Sequence, residues 1–150
     1  MLSKERVRAT FEKQPVDKVA VAHLGFASET ASLILGREAY VGGGIQQFRE
    51  ARALWEGEDA HREYLERSHK DAFDLAVATG QDLVRMTYWR MPEKPAQRPD
   101  ECTFLYGDPD GHYRVYRFDA DTELYSIVDQ RPAVRGIQDY EALEAAIERQ

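Results

Sequence analysis

Four side chains in this chain have the type and the placement to meet a small-molecule substrate: His23, Arg85, Tyr88 and Arg90. His23 stands near the end of the apolar run KVAVAHLG, just before Gly25 and Phe26. Arg85 and Arg90 lie in RMTYWRM (85–91), which follows the shorter apolar run DLVRM (82–86) and sets two arginines around Tyr88 and Trp89. A guanidinium matches a carboxylate through two parallel hydrogen bonds, so two of them beside aromatic rings suit an acidic ligand. Both stretches follow apolar runs that read as parallel strands, and ligands gather at the carboxyl ends of such strands. The plainer readings are a half-buried, satisfied histidine and a surface loop whose aromatics close the end of a sheet.

Other chemistries find less support. His61 and His69 are eight residues apart, which places them about 12 Å apart along one helix, too far to clasp a single ion by themselves. With one cysteine, Cys102, there is neither an intramolecular disulfide nor a thiolate cluster, so no metal site is expected within this chain. No G-x-S-x-G occurs, and Ser, His and Asp show no telling spacing. The triplet Gly42, Gly43, Gly44 invites a phosphate-loop reading. It is followed by Ile45, Gln46 and Gln47 instead of the Lys and Ser or Thr that such loops need, and the third glycine of the dinucleotide fingerprint would fall at Gln47. The triplet is expected to be a flexible link between two helices.

These residues must be held by a folded scaffold, and the composition provides for one. The chain has 150 residues, 43% of them hydrophobic and 11% aromatic, enough for one domain with a sizeable core. A formal net charge of −7 argues against nucleic acid as a partner. No apolar run approaches membrane-spanning length and the opening MLSKERVRATFEK is too charged for a secretion signal, so no membrane association and a cytoplasmic location are expected.

Ser3 opens a short helix with Val7 and Phe11 on one face, which ends before Pro15. Residues 19–24 and 82–86 read as strands buried on both faces. Helices are expected at 28–35, with Ser28 as cap and Gly36 as stop, at 45–55, and at 59–79. On the last of these Leu65, His69, Ala72, Phe73 and Ala76 form the apolar stripe, with His69 in the core. Strand, helices, strand is the order of a right-handed β-α-β unit. MPEKPAQRPD (91–100) reads as an exposed loop. Beyond it, residues 102–106, 112–118 and 123–128 alternate, rich in aromatic and β-branched residues, with GDPDG and DADT as turns. They predict a three-stranded antiparallel meander whose tyrosines pack on the rest of the domain or cover a site. Asp139 caps a last short helix carrying Leu143 and Ile147.

SKERVRATFEKQPVDKVAVAHLG resembles the opening of the uroporphyrinogen decarboxylase superfamily, which includes cobalamin-dependent methyltransferases. Members typically begin with a short ERV…A… helix and a PDRVPV turn into the first barrel strand; here that turn is QPVDKVAV. SETASLILGREAYVGGGIQ, EGEDAH and TFLYGDPDGHYRVYRF resemble a less-characterised branch, so the similarity spans nearly the whole chain. The resemblance implies an α/β fold: the N-terminal part of a TIM (β/α)8 barrel, with helices and two core strands in 1–90, the meander inserted at 101–130 and a helix at 139–150. A complete barrel takes about 250 residues. The chain is therefore expected to be one incomplete barrel segment in 1–150, either part of a longer chain or a short protein that completes its fold by assembly.

The activity implied is that of a lyase in porphyrin metabolism or of a corrinoid-linked methyltransferase, with this chain alone inactive. The decarboxylases carry an arginine-bearing RQAGR motif just after the first strand; HLGFASETA stands there without an arginine. The methyltransferases hold zinc through His and Cys ligands in their C-terminal half, which is not matched here. Zinc and corrinoid are thus expected only of a full-length form, as are a small-molecule substrate or a corrinoid protein as partners; a homo-oligomer is also compatible. The alternative is a small stand-alone α/β binding or assembly module without catalysis.

Overall fold

The computed structural model describes residues 1–86 and 90–131. Tyr88 and the helix expected at 139–150 lie outside the described residues. The fold is mixed α/β, with four helices and one antiparallel sheet among the described residues. The helices are α1 (Ser3–Phe11), α2 (Ser28–Leu35), α3 (Gly44–Glu56) and α4 (Glu58–Ala78); the strands are β1 (Thr103–Gly107), β2 (Tyr113–Asp119) and β3 (Leu124–Arg131). The helices and the meander fall close to their expected bounds.

The sheet has the order β1-β2-β3. Thr103 faces Arg117 across β1 and β2, and Phe118 faces Tyr125 across β2 and β3. A register shift between Val115 and Tyr116 re-aims the second pair of strands. One sheet face packs on α3 and forms an aromatic core of Phe48, Ala51, Phe104, Tyr106 and Tyr125. Phe48 stacks on Phe118 with centroids 4.3 Å apart and planes 4° from parallel. The Tyr106 and Tyr125 hydroxyls are hydrogen-bonded at 3.1 Å, which satisfies two polar ends inside that core. Tyr106, Tyr116 and Tyr125 thus pack inward, whereas the Tyr113 hydroxyl donates to Asp129 at the surface. A second, smaller core joins α2 and α4 through Ala31, Ala39, Val41 and Leu75.

The glycine triplet has a packing function. A Cβ on Gly44 would stand 2.4 Å from the backbone nitrogen of Tyr125 and 2.6 Å from the carbonyl oxygen of Glu123. Only glycine lets the first turn of α3 meet the start of β3 at this distance, so the triplet is a close contact and not merely a flexible link. Gly57, at φ 135°, makes the sharp step from α3 to α4.

Three further expectations change. Residues 19–24 and 82–86 do run side by side in parallel, but they meet through a single bridge, Ala22 to Leu83. They are not buried on both faces: Val19 is 80% and Leu24 68% exposed, and Leu83 and Val84 are exposed as well. Among the described residues these two parallel segments have no further sheet neighbours to cover them. On α4 the buried stripe is Tyr64, Ser68, Asp71, Leu75 and Ala76, whereas Phe73 faces outward and His69 is only half-buried. Polar contacts decide this rotation: the Asp71 carboxylate accepts from Arg37 and from the backbone N–H of Tyr40, and Ser68 accepts from Gln46. Finally, the loop at 91–100 is not wholly exposed. Ala96 and Gln97 hydrogen-bond to Leu105 along the outer edge of β1, and Pro95 is buried. The loop thereby covers a strand edge that would otherwise present unpaired backbone groups.

Candidate functional site

The parallel segments are aligned from their amino ends by one carboxylate. Asp82 accepts from the Ser3 hydroxyl at 2.7 Å, from the backbone N–H of Val21 at 3.0 Å and from the Arg6 guanidinium. The Val21 N–H, then Ser3 and Arg6, hold the Asp82 carboxyl below its usual range. Arg6 also grips Asp17 with two nitrogens, at 2.7 and 2.9 Å. These contacts lock α1, the turn after it and both segments into one frame. Farther along, the Gln81 side chain accepts from the backbone N–H of His23 at 3.0 Å. Nothing in the spacing of Ser3, Arg6, Asp17 and Asp82 announced this cluster in the sequence.

At the carboxyl ends of the two segments lies a cleft lined by His23, Leu24, Phe26, Gln46, Gln81, Arg85 and Met86, among others. The His23 ring stacks on Phe26 at 4.2 Å, and its Nδ1 accepts from the Gly25 N–H at 3.3 Å. His23 and Arg85, expected to line one pocket, therefore do line one cleft. Its volume is about 40 Å³. A single liquid water claims about 30 Å³ and ligand pockets typically run to ~300 Å³ or more, so this cleft does not by itself enclose a small molecule.

Arg90 is engaged elsewhere. Its Nε donates to Glu50 Oε1 at 2.6 Å; His61 Nε2 donates to the same oxygen at 3.0 Å, and the Met91 N–H to Oε2 at 2.8 Å. Glu50 is completely buried. Burial by itself would raise its pKa, yet the donors from Arg90, His61 and Met91 outweigh this and hold the carboxyl below its ordinary value. This buried node anchors the chain at 90–91 to α3.

A larger cavity was not foreseen. It is a groove of about 490 Å³ between α3, α4 and the meander. Phe48, Phe118, Tyr64 and Ala53 are among the residues that line it, together with Glu38, Arg49, Arg52, Glu56, Glu63 and Arg67. The guanidinium carbons of Arg67, at 3.7 Å, and Arg49, at 4.4 Å, both lie over the Tyr40 ring. Both arginines reach the Glu38 carboxylate, at 2.8 and 3.1 Å.

Among the described residues, no three His, Cys, Asp or Glu side chains are grouped to hold a metal ion, and no helix is long and apolar enough to cross a membrane. No protein-family description, curated protein or solved structure matches the chain.

Proposed function

We propose that this chain is the N-terminal segment of a uroporphyrinogen decarboxylase-like TIM-barrel enzyme, of the decarboxylase or corrinoid-linked methyltransferase class. One observation carries the reading: the parallel bridge of Ala22 to Leu83, spanned by three helices and bordered by uncovered apolar side chains. That is the arrangement of a first β-α-β unit before further parallel strands join it. In this reading His23 and Arg85 form one wall of the substrate pocket, Tyr88 is a further candidate that lies outside the described residues, and Arg90 is held by Glu50. A cleft of about 40 Å³ does not enclose a substrate, and in this reading the site is completed only in the full-length enzyme, the 150-residue chain alone being inactive. Zinc or corrinoid, if used, would be bound by other parts of the enzyme.

The coding sequence past the codon for Gln150 is the test. An open frame that continues through further strand–helix repeats is the expected result; an immediate stop codon would sink the fragment reading. The second reading, a stand-alone binding module, is favoured by a different observation, the 490 Å³ groove on the helix–sheet side.

A further inference from the structure

His23 is an exposed side chain under three separate restraints. Its ring stacks on Phe26 with centroids 4.2 Å apart and planes 23° from parallel. Its backbone N–H donates to the Gln81 side chain at 3.0 Å, and its Nδ1 accepts from the Gly25 N–H at 3.3 Å. A side chain already fixed in this way loses less freedom when it grips a ligand. The Gly25 contact also decides the tautomer. A ring nitrogen that accepts an N–H carries no proton, so the proton of the neutral imidazole sits on Nε2. Among the described residues Nε2 has no hydrogen-bond partner, and it stands as a fixed, unused donor.

The cleft that this ring lines has a charge of one sign. Arg85 lines it too, and none of its described lining residues is Asp or Glu. That is unlike the chain as a whole, in which 27 acidic residues outnumber 20 lysines and arginines. Phe26, Leu75 and Met86 supply apolar surroundings, where a charge-assisted hydrogen bond is screened less than in open water. At about 40 Å³ the cleft has room for a head group of a few atoms and none for a ring. An N–H donor, a positive charge and a space of that size together select a small anionic oxygen group.

We propose that His23 sets the specificity of this cleft as a fixed Nε2–H donor to one carboxylate group of the ligand. One carboxylate oxygen accepts from His23 Nε2, Arg85 adds positive charge, and the rest of the ligand extends outside the cleft. The proposal rests on the reading of His23 and Arg85 as one wall of a pocket; the barrel itself is tested separately by the coding sequence.

The experiment uses the nitrogen-labelled 150-residue chain. Long-range proton–nitrogen correlation of the histidine rings, assigned with His23→Gln, should show the His23 proton on Nε2 before any ligand is added. Sodium acetate is then titrated at constant ionic strength, with acetamide as the uncharged control of the same shape and inorganic phosphate as the competing anion. Saturable shifts at the His23 ring and at the Gly25 and Gln81 amides are expected, with acetamide roughly tenfold or more weaker because it lacks the charge-assisted contact. Two variants isolate the donor. His23→Gln places an amide N–H where Nε2–H stands and should keep acetate binding, whereas His23→Asn reaches only as far as Nδ1 and should lose it. Both change an exposed position, where substitutions leave stability nearly unaltered. A proton on Nδ1, equal binding of acetate and acetamide, phosphate binding tighter than acetate, or undiminished binding in His23→Asn would overturn the proposal. A stop codon after Gln150 would remove the barrel and leave an acetate result standing; a continuing frame without acetate binding would remove this proposal alone.

Discussion

The helix–sheet half of the molecule and the paired-segment half are held together by different forces. Between α3 and the meander, Phe104 and Tyr106 are excluded from solvent and every strand has a hydrogen-bonded neighbour. Around residues 19–24 and 82–86 the order is electrostatic: Arg6, Asp17, Asp82 and Ser3 fasten the backbone while Val19, Val21, Leu24 and Leu83 stay exposed. Apolar residues stabilise only what they are buried against. The first region has its partners within the described residues, and the second has polar fastenings in place of a core.

The contrast predicts where truncation hurts most. Phe104 is fully buried and sits against Phe48, with ring centroids 6.1 Å apart, under the guanidinium of Arg98. Phe104→Ala should cost about 3–5 kcal/mol by removing buried surface and leaving a cavity. Urea unfolding followed by far-ultraviolet circular dichroism measures it. A loss below about 1 kcal/mol would mean that the helix–sheet core is loose, and the comparison would fail.

A smaller effect is expected at Glu50, where the aromatic half is joined to the chain at 90–91. Removal of the carboxylate strands Arg90 and His61, whose side chains are 29% and 20% exposed. Glu50→Gln should therefore cost about 1–3 kcal/mol at pH 7, less than a pair sealed from water would. The sign of its pH dependence follows from the depressed pKa. The stabilisation is fully present above the ordinary value of 4.5 and is lost as pH falls through the lower value of the folded state. The stability gap between parent and variant should therefore close on acidification. A gap of constant size from pH 7 to pH 3 would show that the charge of Glu50 contributes nothing.

Much of this architecture was legible in the residues. Gly36 stops α2 as expected, and GDPDG and DADT mark the turns of the meander, because helix stops and tight turns depend on local backbone chemistry. Ser28, expected as the cap, is instead the first helical residue behind Ala27. The stripe of α4 was misjudged because Phe73 looks like core and Asp71 does not, yet Arg37 and the Tyr40 N–H lie across the fold and draw Asp71 inward. The close approach behind Gly44 joins residues about eighty positions apart, which no local pattern announces. In the candidate site, His23 and Arg85 came from their place after apolar runs. The fastening by Arg6 and Asp82 and the groove at Phe48 and Phe118 arise only when distant elements meet.

The smallest expected effect sharpens the comparison most. Val19 belongs to the most apolar run of the chain, so a buried-strand reading makes it a core residue. At 80% exposure, Val19→Ser in the 150-residue chain should change stability by no more than about 0.5 kcal/mol. Within the proposed barrel, further strands would cover the side chain, and the same substitution should then cost about 1.5–3 kcal/mol, the usual worth of a fully buried aliphatic side chain. The pair of measurements separates two reasons for an apolar run. An equal, negligible cost in both contexts would mean that the segment never gains a partner and would remove the main support for the barrel. A large cost in the 150-residue chain would mean that this face is already covered in solution by another copy, and sedimentation of the parent protein would then show a dimer.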